Sequence, residues 1–96
     1  MSAYIVLGNW TEQGVRNAKD TVNRWKSASE MMGSMKIRPI GIWWTLGQYD
    51  FVVVIEAPDD ETATRMLLSL AKQGNVRTTT LRAFSEDEAG RIVQGL

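Results

Sequence analysis

The sequence contains no cysteine and no histidine. Disulfides, iron–sulfur clusters, zinc sites built on these residues, thiolate catalysis and a Ser-His-Asp triad are therefore excluded within one chain. Axial histidine ligation of haem is excluded for the same reason. Carboxylates, lysine and tyrosine remain for acid–base chemistry, and the remaining oxygen ligands suit only hard cations such as Mg²⁺ or Ca²⁺. We expect neither a cofactor nor a metal site.

An excess of charge of one sign is also missing, since 11 Lys and Arg residues balance 11 Asp and Glu residues. The charges are spread along the chain, so nothing indicates a nucleic-acid partner or an anionic membrane surface. The apolar run Phe51–Ile55 is far shorter than the roughly 20 residues of a membrane-spanning helix. We expect a soluble, cytoplasmic protein.

The length of 96 residues predicts a single domain over residues 1–96. A domain of this size buries only about 60 to 65% of the surface that its unfolded chain exposes. A subunit interface would add burial that one copy lacks, so self-association is expected on size alone.

The hydrophobic pattern alternates between strands and helices in the order βαββαβ. Thr11 is predicted to cap the first helix, whose apolar stripe runs to a stop at Gly33, and Asp59 to cap the second, which ends at Gly74-Asn75. Ser85 begins a capping box that predicts a short helix over residues 85–96. Pro39 favours an edge position for the second strand. Strands are predicted over Ala3–Trp10, Lys36–Thr45, Tyr49–Ala57 and Val76–Phe84.

This order predicts an α+β, ferredoxin-like fold: a four-stranded antiparallel sheet with two helices on one face. The opposite face has no cover from its own chain, yet the third strand is apolar on both sides over Phe51–Ile55. A monomer rarely exposes so large an apolar patch. We therefore expect a face-to-face homodimer or a higher homo-oligomer.

A three-residue turn at Leu46–Gln48 would place Trp44 opposite Asp50 and Arg38 opposite Glu56. These four side chains would then share the face turned toward the partner copy. One interpretation is a small-ligand pocket, with Arg38 for an anion and Trp44 for a planar group. The other is structural and is preferred: Arg38 and Glu56 form a cross-strand ion pair, and Asp50 binds the turn backbone.

Tyr49 and Asp50 are neighbours in a strand and should point to opposite faces, which argues against a joint acid–base role. Among the tryptophans, Trp25 belongs to a helical core stripe, and Trp43 and Trp44 must face opposite ways. Only Trp44 and Trp10 are therefore candidates for lining a pocket.

Several segments resemble the GYD domain family, and together they span residues 3 to 84. The resemblance implies kinship with the dimeric α+β barrels, whose members include cofactor-free oxygenases, isomerases and stress-response proteins. It implies no particular activity, and the histidines of several barrel enzymes have no counterpart here. The segments are Leu46-Gly47-Gln48-Tyr49-Asp50, Tyr4-Ile5-Val6-Leu7, Trp10-Thr11-Glu12-Gln13-Gly14, Ala57-Pro58-Asp59-Asp60-Glu61 and Gly74-Asn75-Val76-Arg77-Thr78.

Three functions stay open on these grounds. The preferred one is a self-associating ligand-binding or regulatory module whose ligand is a small apolar or aromatic molecule. The second is a cofactor-independent enzyme of the dimeric-barrel type, with Asp50 or Glu56 as base and Arg38 stabilising developing negative charge. The third is a structural assembly subunit without a ligand.

Overall fold

A computed structural model describes all 96 residues, Met1–Leu96. Four strands form one antiparallel sheet in the order β2-β3-β1-β4, and the ferredoxin-like βαββαβ prediction is confirmed. The prediction of β2 at a sheet edge is confirmed as well. The elements are β1 (Ser2–Trp10), α1 (Glu12–Arg16), α2 (Thr21–Ser34), β2 (Arg38–Trp44), β3 (Phe51–Ala57), α3 (Asp60–Ala71), β4 (Val76–Ala83) and α4 (Glu86–Gln94).

The three predicted helix caps are confirmed. Thr11 Oγ1 accepts a hydrogen bond from the Gly14 amide at 3.1 Å, and Asp59 Oδ1 accepts one from the Thr62 amide at 2.7 Å. At the start of α4, Ser85 and Glu88 accept hydrogen bonds from each other's amides in a complete capping box. Each cap satisfies amide groups that have no partner within the helix, so these helix starts could be read from sequence.

The prediction of one continuous helix from Thr11 to Gly33 is wrong. α1 ends at Arg16, a 3-10 turn covers Ala18–Asp20, and α2 begins at Thr21. The break lies at Asn17, whose side-chain amide donates to the Gln13 carbonyl at 3.1 Å, a local bond that competes with helix continuation.

Gly33 does not end the helix either. α2 continues to Ser34, and the chain leaves it through Lys36, which has a φ of +62°. That left-handed conformation is uncommon for a residue with a side chain. It is followed directly by Ile37, which is buried and whose amide donates to the Met32 carbonyl at 2.8 Å.

The core lies between the sheet and helices α2 and α3. Alternate residues of β1 and β3 point toward the helices and are buried, and pairs such as Val6 and Val53 face each other across the two strands. The intervening residues point to the uncovered side. The buried hydrophobic residues are Tyr4, Val6, Met32, Ile37, Phe51, Val53, Ile55, Ala57, Ala63 and Met66.

The β2–β3 hairpin departs from the predicted register at two points. Thr45 donates its amide hydrogen bond to the Asp50 carbonyl, which makes the turn one residue longer than expected. The register then shifts between Pro39 and Gly41, where β2 contributes one extra residue in a bulge. Proline donates no ladder hydrogen bond, so its place beside a bulge on an edge strand is expected.

These two departures cancel at one end of the hairpin and not at the other. Arg38 pairs with Glu56, as predicted, but Trp44 pairs with Phe51 and not with Asp50. Because side chains alternate along a strand, the shift turns Trp44 toward the helices and leaves Trp43 on the uncovered side. The expected face for Trp44 is therefore wrong.

No helix of the structure combines the length and apolar character needed to cross a membrane.

Candidate functional site

The sheet face opposite the helices is the first candidate, and we call it the open sheet face. Its centre is formed where β1 and β3 pair Ile5 with Val54 and Leu7 with Val52. β4 extends it on one side through Leu81, which pairs with Ile5. All five side chains are aliphatic; Leu81 is exposed, the other four are half-buried, and α2 and α3 pack on the opposite face of the sheet. The members of the open sheet face are Ile5, Leu7, Trp43, Val52, Val54 and Leu81.

Trp43 closes this face at the β2 edge. A Cβ atom built on Gly41 would lie 2.9 Å from the Trp43 ring, so the ring lies across that glycine. Trp43 is still 54% exposed and Leu81 is 47% exposed. Large apolar side chains this accessible on one flat surface mark an interaction site.

The corner of the open sheet face carries the predicted ion pair. Arg38 Nη1 lies 3.3 Å from Glu56 Oε1 across the β2–β3 ladder. The pair is largely solvent-accessible, so its effect on stability is small, within about 1 kcal/mol. The two side chains neutralise each other's charge beside the aliphatic centre of this face.

Asp50 lies at the opposite end of the hairpin and binds the β1 backbone. Its Oδ2 accepts a hydrogen bond from the Trp10 amide at 2.9 Å, and its own amide donates to the Gly8 carbonyl at 2.8 Å. The expectation of a backbone role is therefore correct in kind, but the backbone is that of β1 and not of the turn. Tyr49 contributes its carbonyl oxygen, which accepts the Thr45 hydroxyl hydrogen bond at 2.6 Å.

The four predicted site residues therefore divide into three places. The structure brings together only Arg38 and Glu56, while Asp50 holds the end of β1. The Trp44 indole N–H donates to Thr21 Oγ1 at 3.1 Å, on the helical side of the sheet. A ligand bound jointly by all four on the open sheet face would require them to converge, which they do not. Binding by Arg38 and Glu56 stays a prediction.

Tyr4 is a titratable group in the core whose pKa is shifted. Its hydroxyl donates a hydrogen bond to Asp60 Oδ1 at the start of α3. Burial, and next the bond to the Asp60 carboxylate, raise the pKa of Tyr4 above its ordinary value. The contact ties the centre of the sheet to α3 and is directed away from the open sheet face.

α4 presents a second apolar surface. Ile92 and Val93 are more than half exposed, and Leu96, just beyond the helix, is fully exposed. Phe84 precedes the helix, and the Arg82 guanidinium lies 4.6 Å from the centre of its ring. Arg82 also pairs with Glu88 at 3.7 Å, which fixes the start of α4 against β4.

Sequence reasoning did not find two features. One is Trp43 as the exposed aromatic residue of the open sheet face. Gly41, two residues earlier on the same face, could have indicated it, because a glycine provides room for a large neighbouring ring. The other is a cavity between the sheet and α2 and α3, bordered by Arg24. The sequence carries no local signal for that cavity, because it results from the packing of three separate elements.

The chain is similar to a known family, to a named protein and to a solved structure. The family model described as GYD domain matches residues 4–93. A Thermus thermophilus protein named glutamine synthetase and cystathionine beta-lyase binding protein is 37% identical over 85 residues, covering 88% of this chain and 90% of the relative. The crystal structure of TTHA0845, also from Thermus thermophilus, is similar with a TM-score of 0.55 and 23% identity, over 88% of this chain and 95% of that one. That structural likeness supports the fold alone.

Proposed function

The chain belongs to the GYD domain family, and we propose that it is a non-catalytic regulatory module. In this proposal two copies pair through their open sheet faces, and the pair binds a metabolic enzyme. The observation that carries this proposal is the uncovered apolar centre of the sheet at Ile5, Leu7, Val52 and Val54.

Pairing with a second copy is supported by the composition of the open sheet face. Its aliphatic centre would meet an identical centre, with the Trp43 ring at the margin. The ion pair beside its aliphatic centre, between Arg38 and Glu56, is already neutral. Arg77, the charge on this face without an ion-pair partner, lies opposite Asn9 at the outer end of β4, away from that centre. Apolar surface would leave water on both copies, and this is the main driving force for association.

The sheet alone is too small for the proposed interface. Four strands about 4.8 Å apart and seven residues long give a footprint of roughly 450 Å² per copy. A stable interface usually buries about 800 Å² per partner. The exposed side chains Ile92 and Val93 of α4 are the apolar surface available to extend it. We therefore place α4 at the margin of the paired sheets.

Binding of an enzyme is supported by the named relative. That protein is described as binding glutamine synthetase and cystathionine beta-lyase, and this chain shares 37% identity with it over most of both sequences. A binding role without catalysis also agrees with the contacts of the two carboxylates that were candidate catalytic bases. Asp50 is engaged by the Trp10 amide and Glu56 by Arg38, so neither carboxylate is free on the open sheet face.

Interferometry with the immobilised chain tests this function. The analytes are purified glutamine synthetase and cystathionine beta-lyase from the organism that produces this chain. An unrelated enzyme of similar size and net charge is the control. We expect saturable binding of at least one of the two enzymes, with no response to the control. Absence of binding by both at about 10 µM, where a micromolar complex would be largely formed, would overturn the proposal.

A further inference from the structure

A cavity of about 80 Å³ lies on the helical side of the sheet, away from the open sheet face. Val6 and Val53 form its floor, Trp25 lines it from α2, and Leu67 and Leu70 line it from α3. Most of its lining is apolar. The cavity therefore belongs to each copy of the chain and does not depend on self-association.

Small residues beneath and beside the cavity account for its presence. The Phe51 ring lies so close to Gly8 that a Cβ built there would be 2.0 Å from the ring, which keeps the aromatic plane low against β1. Ala28 faces the same space from α2 with only a methyl group. A larger residue at either position would reduce the free volume between the layers.

Arg24 borders the cavity and provides its positive charge. Its Nη1 donates to the Asn17 carbonyl at 2.6 Å, and Nη2 lies 3.5 Å from the Gly14 carbonyl. None of the four ion pairs of the structure involves Arg24. A half-buried guanidinium without a carboxylate partner retains donors for an anion.

Thr21 lies beside Arg24 on the cavity lining. Its Oγ1 accepts the Trp44 indole hydrogen bond, so the hydroxyl hydrogen is available to donate. A guanidinium and a hydroxyl next to an apolar space form a site with one anion-binding part and one apolar part.

We propose that this cavity binds a small branched-chain carboxylic acid, with its alkyl group among Trp25, Leu67 and Leu70 and its carboxylate on Arg24. The volume limits the ligand: an apolar cavity of about 150 Å³ holds a benzene ring, and this one is about 80 Å³. A branched group of about four carbons fits the smaller space, whereas nucleotides and drug-sized molecules need several hundred Å³. Charge selects a carboxylate over a neutral group of the same shape.

An NMR titration of the full-length ¹⁵N-labelled chain tests the site. The probe is 3-methylbutanoate, and 3-methylbutanamide is its neutral control of equal shape. We expect saturable shifts of the Trp25 indole and Ala28 amide signals, with the acid binding about tenfold more tightly than the amide. Absence of saturable shifts up to about 20 mM acid, or equal affinity for acid and amide, would overturn the proposal.

Two substitutions locate the binding. Arg24→Gln removes the charge and leaves a shorter neutral amide, so the acid should lose its preference over the amide. Ala28→Leu should abolish binding of both probes, because its side chain occupies the cavity; Leu70→Phe fills the space from α3 if the first variant does not fold. Arg16→Gln, at an exposed arginine of α1, is the control and should bind as the unmodified chain does.

Retained acid preference in Arg24→Gln, or unchanged binding in both cavity-filling variants, would contradict the assignment. The titration contains no enzyme partner, so its failure is distinct from a failure of the proposed regulatory function.

Discussion

The Asp50 carboxylate, just before β3, accepts a hydrogen bond from the main-chain N–H of Trp10 at the end of β1, at 2.9 Å. The Asp50 amide donates to the Gly8 carbonyl at 2.8 Å, so one residue holds β1 through both its side chain and its backbone. The hairpin aspartate is therefore a structural residue that completes the pairing of β3 with the end of β1.

Substitution of Asp50 should lower the free energy of unfolding, and the loss should depend on whether the new side chain can still accept the Trp10 hydrogen bond. Asp50→Ala leaves the Trp10 amide without its partner, and we expect a loss of about 1 to 2 kcal/mol in the free energy of unfolding. Asp50→Asn retains a carbonyl acceptor and should lose less. Urea unfolding followed by tryptophan fluorescence measures both. Equal stability of the alanine variant and the unmodified chain would contradict the role.

Tyr4→Phe tests the contact between the sheet and α3. The variant keeps the buried ring but removes the hydroxyl that donates to Asp60, so we expect a loss of about 1 kcal/mol at neutral pH. Thermal and urea unfolding should both show this loss of stability. A variant as stable as the unmodified chain would show that water replaces the tyrosine hydroxyl at no cost.

The same residue predicts an alkaline limit of stability. Burial and the Asp60 hydrogen bond raise the pKa of Tyr4 in the folded chain. The protonated form is thus favoured by folding: the stabilisation is complete below about pH 10 and is lost as the pH rises through the raised value. Unfolding measured from pH 8 to about 12 should show a steeper loss for the unmodified chain than for Tyr4→Phe. Parallel curves of stability against pH for the two chains would contradict a raised Tyr4 pKa as the cause.

The contribution of α4 to association can be separated from that of the sheet. Ile92→Glu places a charge on the exposed apolar side of the helix and should weaken self-association by about tenfold. Gln94→Glu adds the same charge at an exposed polar residue of the same helix and should have little effect. Sedimentation equilibrium gives both constants, and equal values for the two variants would exclude α4 from the interface.

The features predicted from sequence are those encoded by a few neighbouring residues. The caps at Thr11, Asp59 and Ser85 satisfy amide groups three residues away, and Pro39 marks an edge strand because it lacks a donor. Element order followed from these signals and from hydrophobic periodicity. The uncovered apolar face followed in turn from the handedness of the crossovers.

Of the features missed, the helix break at Asn17 is local, and the others depend on strand register or on the packing of separate elements. The bulge after Pro39 and the longer hairpin turn each change the register by one residue, and a one-residue change moves Trp44 to the other face. Arg38 and Glu56 were paired correctly because these two changes cancel. The cavity beside Arg24 depends on how α2 and α3 sit on the sheet, which no local pattern encodes.

Sedimentation velocity of a matched pair of leucine variants tests the central claim most directly. Leu81 lies on the open sheet face, whereas Leu68 is exposed on α3 on the other side of the sheet. At micromolar concentration the unmodified chain and Leu68→Glu should sediment with twice the 10.8 kDa mass of one chain. Leu81→Glu should sediment as a folded monomer, because an unpaired charge in the interface weakens association on the order of a hundredfold. A monomeric unmodified chain, or a dimer that Leu81→Glu leaves intact, would contradict the account.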